Sequence, residues 1–153
     1  TLLTQRMQLL IENNHTSGRK FGVLFLDLDN FKEINDSLGH DVGDMILIHV
    51  SKTLLLATRK SDTVARFGGD EFIILVDDIE DEKSLKHIAT KLIHAISQPI
   101  RVRHLDLTVT TSIGISLFPN HGTDFNQLIK NADLALYVAK AEGRNTYKIH
   151  HQS

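Results

Sequence analysis

Four acidic residues stand where the chain is expected to leave a strand or to turn. Asp27 and Asp29 follow the apolar run of residues 21–26, and Asp70 and Glu71 follow a pair of glycines. If the strand end and the turn meet at one edge of a sheet, these carboxylates share a small volume. Like charges that close repel and raise each other's pKa unless a cation joins them. The cluster therefore predicts a metal site, although a solvated strand end and turn explain the same spacing equally well.

The types of ligand available indicate which metal would suit this cluster. The chain contains no cysteine, which excludes a thiolate site. The nine histidines include no H-E-x-x-H pattern, and His150-His151 is a weak metal signal. Carboxylate oxygens favour Mg²⁺, with Mn²⁺ as a substitute. Because Mg²⁺ takes substrate phosphates as further ligands, the cluster indicates phosphoryl or nucleotidyl transfer.

Hydrophobic spacing predicts the elements that would position these acids. The nearly continuous apolar run of residues 21–26 is typical of a central strand that is buried on both faces. A glycine turn joins two predicted strands, and strict alternation over residues 107–117 predicts a strand with one buried face. The predicted strands cover 21–26, 63–67, 71–76, 107–117 and 146–149, and the predicted helices cover 2–14, 30–38, 40–58, 81–97 and 124–141. This order predicts an α+β fold, a mixed and mostly antiparallel sheet flanked by helices in a ferredoxin-like βααββαβ arrangement.

Length and composition limit the classes of function. With 153 residues, of which 41% are hydrophobic, the chain is expected to form one domain over 1–153. A formal net charge of −2 lacks the basic footprint of proteins that bind long nucleic acids. No apolar run approaches the roughly 18 residues of a membrane helix, so we expect a cytoplasmic domain without membrane contact. The chain starts inside a predicted helix, which indicates a fragment of a longer multidomain protein.

Several separated blocks of sequence match one known family. Residues 66–72, Arg-Phe-Gly-Gly-Asp-Glu-Phe, resemble the signature of the GGDEF family, the diguanylate cyclases, and residues 25–32 are similar to that family's first strand and phosphate loop. Further matching blocks follow in the family's order at 35–36, 38–41, 43–44, 112–116, 131–133, 137, 139–140 and 143–145. The resemblance implies a cyclase palm-like core, GTP as the substrate and cyclic di-GMP as the product.

The resemblance also implies a role for each acid. Asp27 and Asp70 match the family's metal-binding carboxylates, and the backbone carbonyl of Leu28 matches a further ligand. Glu71 resembles the catalytic acid, which either takes the proton from the attacking ribose 3′-hydroxyl or helps to hold a second metal.

The nucleotide site follows from the same resemblance. Asn35 and Asp44 match the pair that reads guanine, and their chemistry suits that base, because a carboxylate accepts from N1 and N2 while an amide donates to O6 or N7. The phosphates would be bound by a set of amides and cations, namely Asn30, Phe31, Lys32, Lys140 and Arg144. A helix would present Lys140 and Arg144 on one side, where they also complement the helix dipole.

The glycine pair is expected to serve the turn. We expect Gly68 and Gly69 to adopt positive φ and to let the backbone approach GTP.

The resemblance implies a two-subunit reaction. Each domain carries one guanine site, so two subunits must face each other, and a monomer should be inactive.

A short motif after the third predicted helix indicates inhibition of the enzyme by its product. Arg59 and Asp62 match the R-x-x-D motif at which many family members bind cyclic di-GMP and are inhibited by it. A solvated Arg and Asp at a junction between helix and strand is the structural alternative.

Two other functions remain open at this point. The chain lacks the Asp-x-Leu-Thr turn and the Asn-Arg pair that usually precede the family's first helix. A non-catalytic domain that senses GTP or cyclic di-GMP is one alternative, and the intact Gly-Gly-Asp-Glu-Phe argues against it, because a pure receptor needs no full metal set. Another nucleotidyl transferase or purine cyclase on a similar sheet is the second, and the guanine pair argues against it. A fused sensory or regulatory domain outside this fragment would supply the input.

Overall fold

The computed structural model describes residues 1–151, in which the predicted elements form with small shifts of their ends. The helices are α1 (Leu2–Ser17), α2 (Phe31–Leu38), α3 (His40–Ala57), α4 (Glu82–Ile96) and α5 (Phe125–Ala141). The strands are β1 (Lys20–Leu28), β2 (Thr63–Arg66), β3 (Glu71–Ile79), β4 (Ile100–Val102), β5 (Leu105–Leu107), β6 (Thr111–Phe118) and β7 (Tyr147–Ile149). The hairpin β4–β5 was not predicted, because its two strands have only three residues each.

The main sheet has five strands in the order β2-β3-β1-β6-β7. Strand β1 lies at its centre and pairs antiparallel with β3 and with β6, while β7 runs parallel to β6. The predicted α+β fold with a mixed, mostly antiparallel sheet is confirmed. In this register Asp27 lies opposite Glu71 on one side and Ser112 on the other, so the acidic end of β1 meets the start of β3.

The sheet separates two hydrophobic cores. Alternate residues of β1 point to opposite faces, so Leu24 and Leu26 pack with α3 and α4, whereas Val23 and Phe25 pack with α1 and α5. The side chain of Asp27 has the same parity as Val23 and Phe25. It therefore projects toward the face that α5 covers, which decides its partner in the site.

Strand β6 corrects one expectation. Its alternating sequence predicted one buried face, yet all eight residues are buried. The small residues of the second face lie under α5: a Cβ on Gly114 would approach the Ala132 carbonyl oxygen to 2.0 Å, and the Ser116 hydroxyl donates to the Leu128 carbonyl at 2.8 Å. Alternation with Gly and Ser thus reflects a closely packed helix here and not solvent.

Within residues 1–151, no helix combines the length and the hydropathy that crossing a bilayer requires.

Candidate active site

The predicted convergence of strand end and turn occurs. The Leu28 amide donates to the Asp70 carbonyl oxygen at 3.2 Å, which ties the end of β1 to the first residue after the glycines. The Asp27 and Asp70 side chains lie close enough for the charge of Asp27 to act on the Asp70 carboxyl group. The core of the acidic cluster is therefore this pair of carboxyl groups.

The negative charge of these carboxyl groups is only partly compensated by nearby cations, and their pKa values reflect this. Burial, followed by the proximity and the charge of Asp27, raises the pKa of Asp70 from 3.8 to about 6. Burial and the charges of Asp27 and Asp133 also raise the pKa of Glu71, while the Lys140 ammonium opposes them. Asp27 Oδ1 is buried and has no hydrogen-bond partner among residues 1–151. This arrangement favours the binding of a cation.

Glu71 lies to one side of that pair. Its carboxylate turns back over the glycine turn, so a Cβ on Gly68 would come within 2.3 Å of Glu71 Oε1. Across residues 1–151, no three His, Cys, Asp or Glu side chains are grouped so that they could hold a metal ion. The side-chain donors that fit a hard cation are therefore Asp27 and Asp70, and the backbone at Leu28 lines the same cavity.

A small cavity joins the carboxylates to the predicted phosphate-binding residues. Its volume is about 160 Å³, and it is lined by residues 27–33, Asp70, Lys140 and Arg144. At its floor, the Lys140 ammonium forms an ion pair with Asp27 Oδ2. Asn30, at the N-terminus of α2, makes no side-chain capping hydrogen bond, so the first amides of α2 are not capped by that side chain. Acids, cations and a helix N-terminus thus face one space.

Arg144 reaches this cavity by a route that was not predicted. Helix α5 ends at Ala141, so the expectation that one helix presents both Lys140 and Arg144 is wrong. Gly143, Arg144 and Asn145 instead have successive positive φ values of 114°, 63° and 51°. This left-handed turn returns Arg144 to the side on which Lys140 lies.

Asp29 does not belong to the metal cluster, in contrast to the expectation from spacing. Both of its carboxylate oxygens accept hydrogen bonds from residues far along the chain, Thr110, Ser112 and Asn145. The alternation of Asp27 and Asp29 predicted a shared role, but β1 ends at Leu28, so the two side chains enter different surroundings.

The glycine turn also differs from its prediction. Neither Gly68 nor Gly69 has a positive φ. A Cβ on Gly68 would displace the Glu71 carboxylate that lies over it, whereas a Cβ on Gly69 would meet nothing within 4 Å. Arg66, for which the sequence suggested no role, holds this turn: Nη2 donates to the Gly69 carbonyl at 2.6 Å and Nε donates to the Gly68 carbonyl at 3.2 Å.

The predicted guanine readers lie on neighbouring helices. Asn35 on α2 packs against α3 so closely that a Cβ on Gly43 would come within 1.8 Å of Asn35 Oδ1. That oxygen is buried and has no hydrogen-bond partner in the described part of the chain. Asp44 is exposed on α3 and lines a second cavity together with Leu47, Ile48, Ser51 and Arg66.

Arg59 and Asp62, the R-x-x-D pair, form a hydrogen-bonded corner between α3 and β2, away from the carboxylates of the cluster. The Arg59 amide donates to Asp62 Oδ2 at 2.9 Å, and Arg59 Nη2 donates to the Asp77 carbonyl at 2.6 Å. A cavity of about 700 Å³ lies between this corner and α4, where His87 and Lys91 also line it. Both side chains thus make hydrogen bonds at this junction, and the pair borders the cavity.

Comparison with known proteins places this geometry in context. A family model described as "Diguanylate cyclase, GGDEF domain" matches residues 1–146. The cyclic di-GMP phosphodiesterase NbdA of Pseudomonas aeruginosa is 47% identical over 136 residues, which are 88% of this chain and 17% of that protein. The bifunctional diguanylate cyclase/cyclic di-GMP phosphodiesterase MucR of the same species is 42% identical over 146 residues, 95% of this chain and 21% of that protein.

A third relative has also been solved as a structure. The diguanylate cyclase TpbB of P. aeruginosa is 37% identical over 94% of this chain and 33% of its own length. The crystal structure of its GGDEF domain (PA1120, YfiN or TpbB) superposes with a TM-score of 0.96 at 33% identity, covering 99% of this chain and 95% of that chain. The chain spans between 17% and 33% of these three relatives, whose names include both synthesis and hydrolysis of cyclic di-GMP.

Proposed function

The chain belongs to the GGDEF domain family, and on that basis we propose that it is a diguanylate cyclase that condenses two GTP molecules into cyclic di-GMP and two pyrophosphates. The observation that carries the proposal is the single cavity in which Asp27 and Asp70 face Lys140 and Arg144. Carboxylates for a metal and cations for phosphates at such close range fit a nucleoside triphosphate.

We assign the metal ligands on the chemistry of the site. Asp27, Asp70 and the Leu28 carbonyl would hold Mg²⁺ or Mn²⁺, which when bound neutralises charge on the phosphates. The buried, unpartnered Asp27 Oδ1 and the raised pKa of Asp70 support this assignment, because both indicate negative charge in need of a cation.

The protein's own groups account for the remaining steps. Lys32, Lys140, Arg144 and the first amides of α2 bind the β- and γ-phosphates and orient the α-phosphorus. The 3′-oxygen of a second GTP forms a bond to that phosphorus while the bond to pyrophosphate breaks. Glu71 receives the proton from the 3′-hydroxyl, and its raised pKa brings it nearer to the range in which a general base is effective at neutral pH.

Substrate choice and assembly complete the proposal. Asn35 and Asp44 read guanine, while Gly68 and Gly69 leave room for the nucleotide beside the turn. Two subunits face each other with antiparallel GTPs.

Cyclic di-GMP inhibits the enzyme by binding at Arg59 and Asp62, beside the large cavity. We further propose a cytoplasmic domain fused to sensory or regulatory domains, since the relatives are several times longer.

The experiment is incubation of the purified protein with GTP and Mg²⁺ at high concentration, followed by chromatography. We expect cyclic di-GMP from the wild type and none from Asp70→Ala/Glu71→Ala, whereas the exposed control Asp36→Ala should remain active. ATP in place of GTP tests the base, and Asp44→Asn should raise the KM for GTP about tenfold or more, since it removes a charged acceptor. Product from the double variant would refute the assignment of these carboxylates.

A second candidate is a non-catalytic domain that binds GTP and signals to a fused domain. It is favoured by the name of NbdA, a phosphodiesterase with 47% identity, and by the side position of Glu71. GTP binding without product, even when a fused coiled coil forces dimerisation, would establish this function in place of the cyclase.

A further inference from the structure

Asp29 is a buried acid whose hydrogen bonds connect three distant parts of the chain. Asp29 is only 5% exposed. Oδ1 accepts from the Ser112 hydroxyl at 2.6 Å, and Oδ2 accepts from the Thr110 hydroxyl at 2.6 Å and from the Asn145 amide at 3.0 Å. With both oxygens engaged, Asp29 is satisfied without a metal.

The third of these contacts holds an unfavourable turn. Arg144 adopts positive φ although it is not glycine, a conformation that persists only where the surroundings fix it. Asn145, a residue type that enters this region more readily, follows it with φ 51°. Three hydrogen bonds hold residues 143–145. Two of them belong to the end of α5: the Gly143 amide donates to the Lys140 carbonyl at 3.3 Å, and the Arg144 amide donates to the Ala139 carbonyl at 3.1 Å. The third, from the Asn145 amide to Asp29, is made to the segment that follows β1, and directly after the turn the Thr146 carbonyl accepts from the Ile113 amide of β6 at 2.9 Å.

The position of the turn decides where Arg144 can act. Helix α5 places Lys140 in the cavity directly, but Arg144 lies beyond the end of that helix. Its guanidinium reaches the same cavity only because the chain bends back after Gly143. The turn therefore sets the direction of Arg144, whereas α5 alone sets that of Lys140.

We propose that Asp29 is a positioning residue that fixes the turn at residues 143–145 and so directs Arg144 at the triphosphate of the bound nucleotide. The proposal rests on the cyclase function given above and adds a residue that acts through Arg144. Thr110 and Ser112 hold the carboxylate in the orientation that this contact requires.

A double-mutant cycle on nucleotide binding tests the proposal. Binding of α,β-methylene-GTP with Mg²⁺ is measured by calorimetry for the wild type, Arg144→Ala, Asp29→Ala and the double variant, with Arg101→Ala on the β4–β5 hairpin as the control. Each of the two site variants should weaken binding by about tenfold, the loss expected for one charge-assisted contact to phosphate. The double variant should bind no more weakly than Arg144→Ala alone, and additive losses would overturn the proposal.

Two further variants keep the test informative if Asp29→Ala does not fold. Asp29→Asn can re-pair with the two hydroxyls and still accept from the Asn145 amide, so it should restore binding to within about threefold of the wild type. Thr110→Val/Ser112→Ala keeps the carboxylate but frees its orientation, and it should also be non-additive with Arg144→Ala. A purely structural Asp29 would lower the melting temperature and leave the affinity of the folded fraction unchanged.

Failure of this inference differs from failure of the cyclase proposal. Amide hydrogen exchange at Asn145, measured without nucleotide, should accelerate at least tenfold in Asp29→Ala or in Thr110→Val/Ser112→Ala, and unchanged exchange would refute the contact itself. If the wild type binds the GTP analogue but the cycle is additive, only the positioning role is wrong. If the wild type binds no GTP analogue, the nucleotide function and this role fall together.

Discussion

Replacing Asp70 with asparagine should stabilise the metal-free protein. The carboxyl of Asp70 has its pKa raised from 3.8 to about 6 by burial and by its neighbour Asp27. A shift of about 2 units would correspond to roughly 3 kcal/mol for a fully buried group. Because Asp70 is only partly buried, solvent screening reduces this to about 1 kcal/mol. Asparagine removes the charge, and its amide can donate to the unpartnered Asp27 Oδ1.

The sign of the pH dependence follows from linkage. At pH 7.5 Asp70 is ionised in the folded and the unfolded states, so the folded state carries the full cost. As the pH falls through about 6, the folded protein takes up the proton first, and the cost disappears as the pH approaches 3.8. Asp70→Asn should therefore be more stable than the wild type at pH 7.5 by about 1 kcal/mol, and the difference should shrink toward pH 4.5.

Urea unfolding in the presence of EDTA measures this difference at both pH values, with Asp36→Asn as an exposed control. Titration of the histidines occurs in both proteins and cancels in the comparison. Addition of Mg²⁺ should stabilise the wild type, since ligand that binds only the folded state does so, and should have little effect on Asp70→Asn. A variant that is no more stable than the wild type at pH 7.5 without metal would refute the repulsion between the two carboxylates.

Three further predictions concern other parts of the molecule. Burial lowers the pKa of His121, whose Nδ1 accepts from the Leu117 amide at 2.9 Å, so the wild type should lose stability to urea relative to His121→Gln as the pH drops below 6.5; an equal slope in the two proteins would contradict this. Gly114→Ala would press a methyl group against the α5 backbone and should cost about 3 kcal/mol or more in thermal unfolding, whereas Gly69→Ala should cost less than about 1 kcal/mol. Arg59→Ala should raise the cyclic di-GMP concentration for half-inhibition about tenfold or more without changing the KM for GTP, and unchanged inhibition would place the product elsewhere.

The sequence predicted the meeting of Asp27 and Asp70 for a physical reason. A short, nearly continuous apolar run is typical of a strand covered on both faces, and a glycine pair between two further strands indicates a hairpin. Once β1 lies between the neighbours β3 and β6, the end of β1 and the start of β3 must coincide. The prediction that these two acids meet therefore rests on patterns that extend over many residues. It holds even if the predicted ends of the strands are wrong by a residue or two.

The sequence could not predict the different roles of Asp27 and Asp29. Periodicity places both on the same face of a strand, and their separation depends on where β1 ends and on partners that follow Asp29 by 81 and 83 residues. The same limitation applies to Arg144. The sequence did not show that α5 ends at Ala141 and does not continue for one more turn, which would have placed Arg144 on the helix. The buried second face of β6 was also hidden, since Ser and Gly suit both solvent and a helix at close range.

The two cores on opposite faces of the sheet have a consequence for how the sequence can change. Leu26 and Phe25 are neighbours in β1, yet their side chains point to opposite faces and belong to separate clusters. Substitutions of residues that share no packing partners generally combine without interaction. Substitutions under α3 and α4, beside the cavity at Arg59, should therefore add to substitutions under α1 and α5, the half of the domain that carries Lys140, without altering their effects.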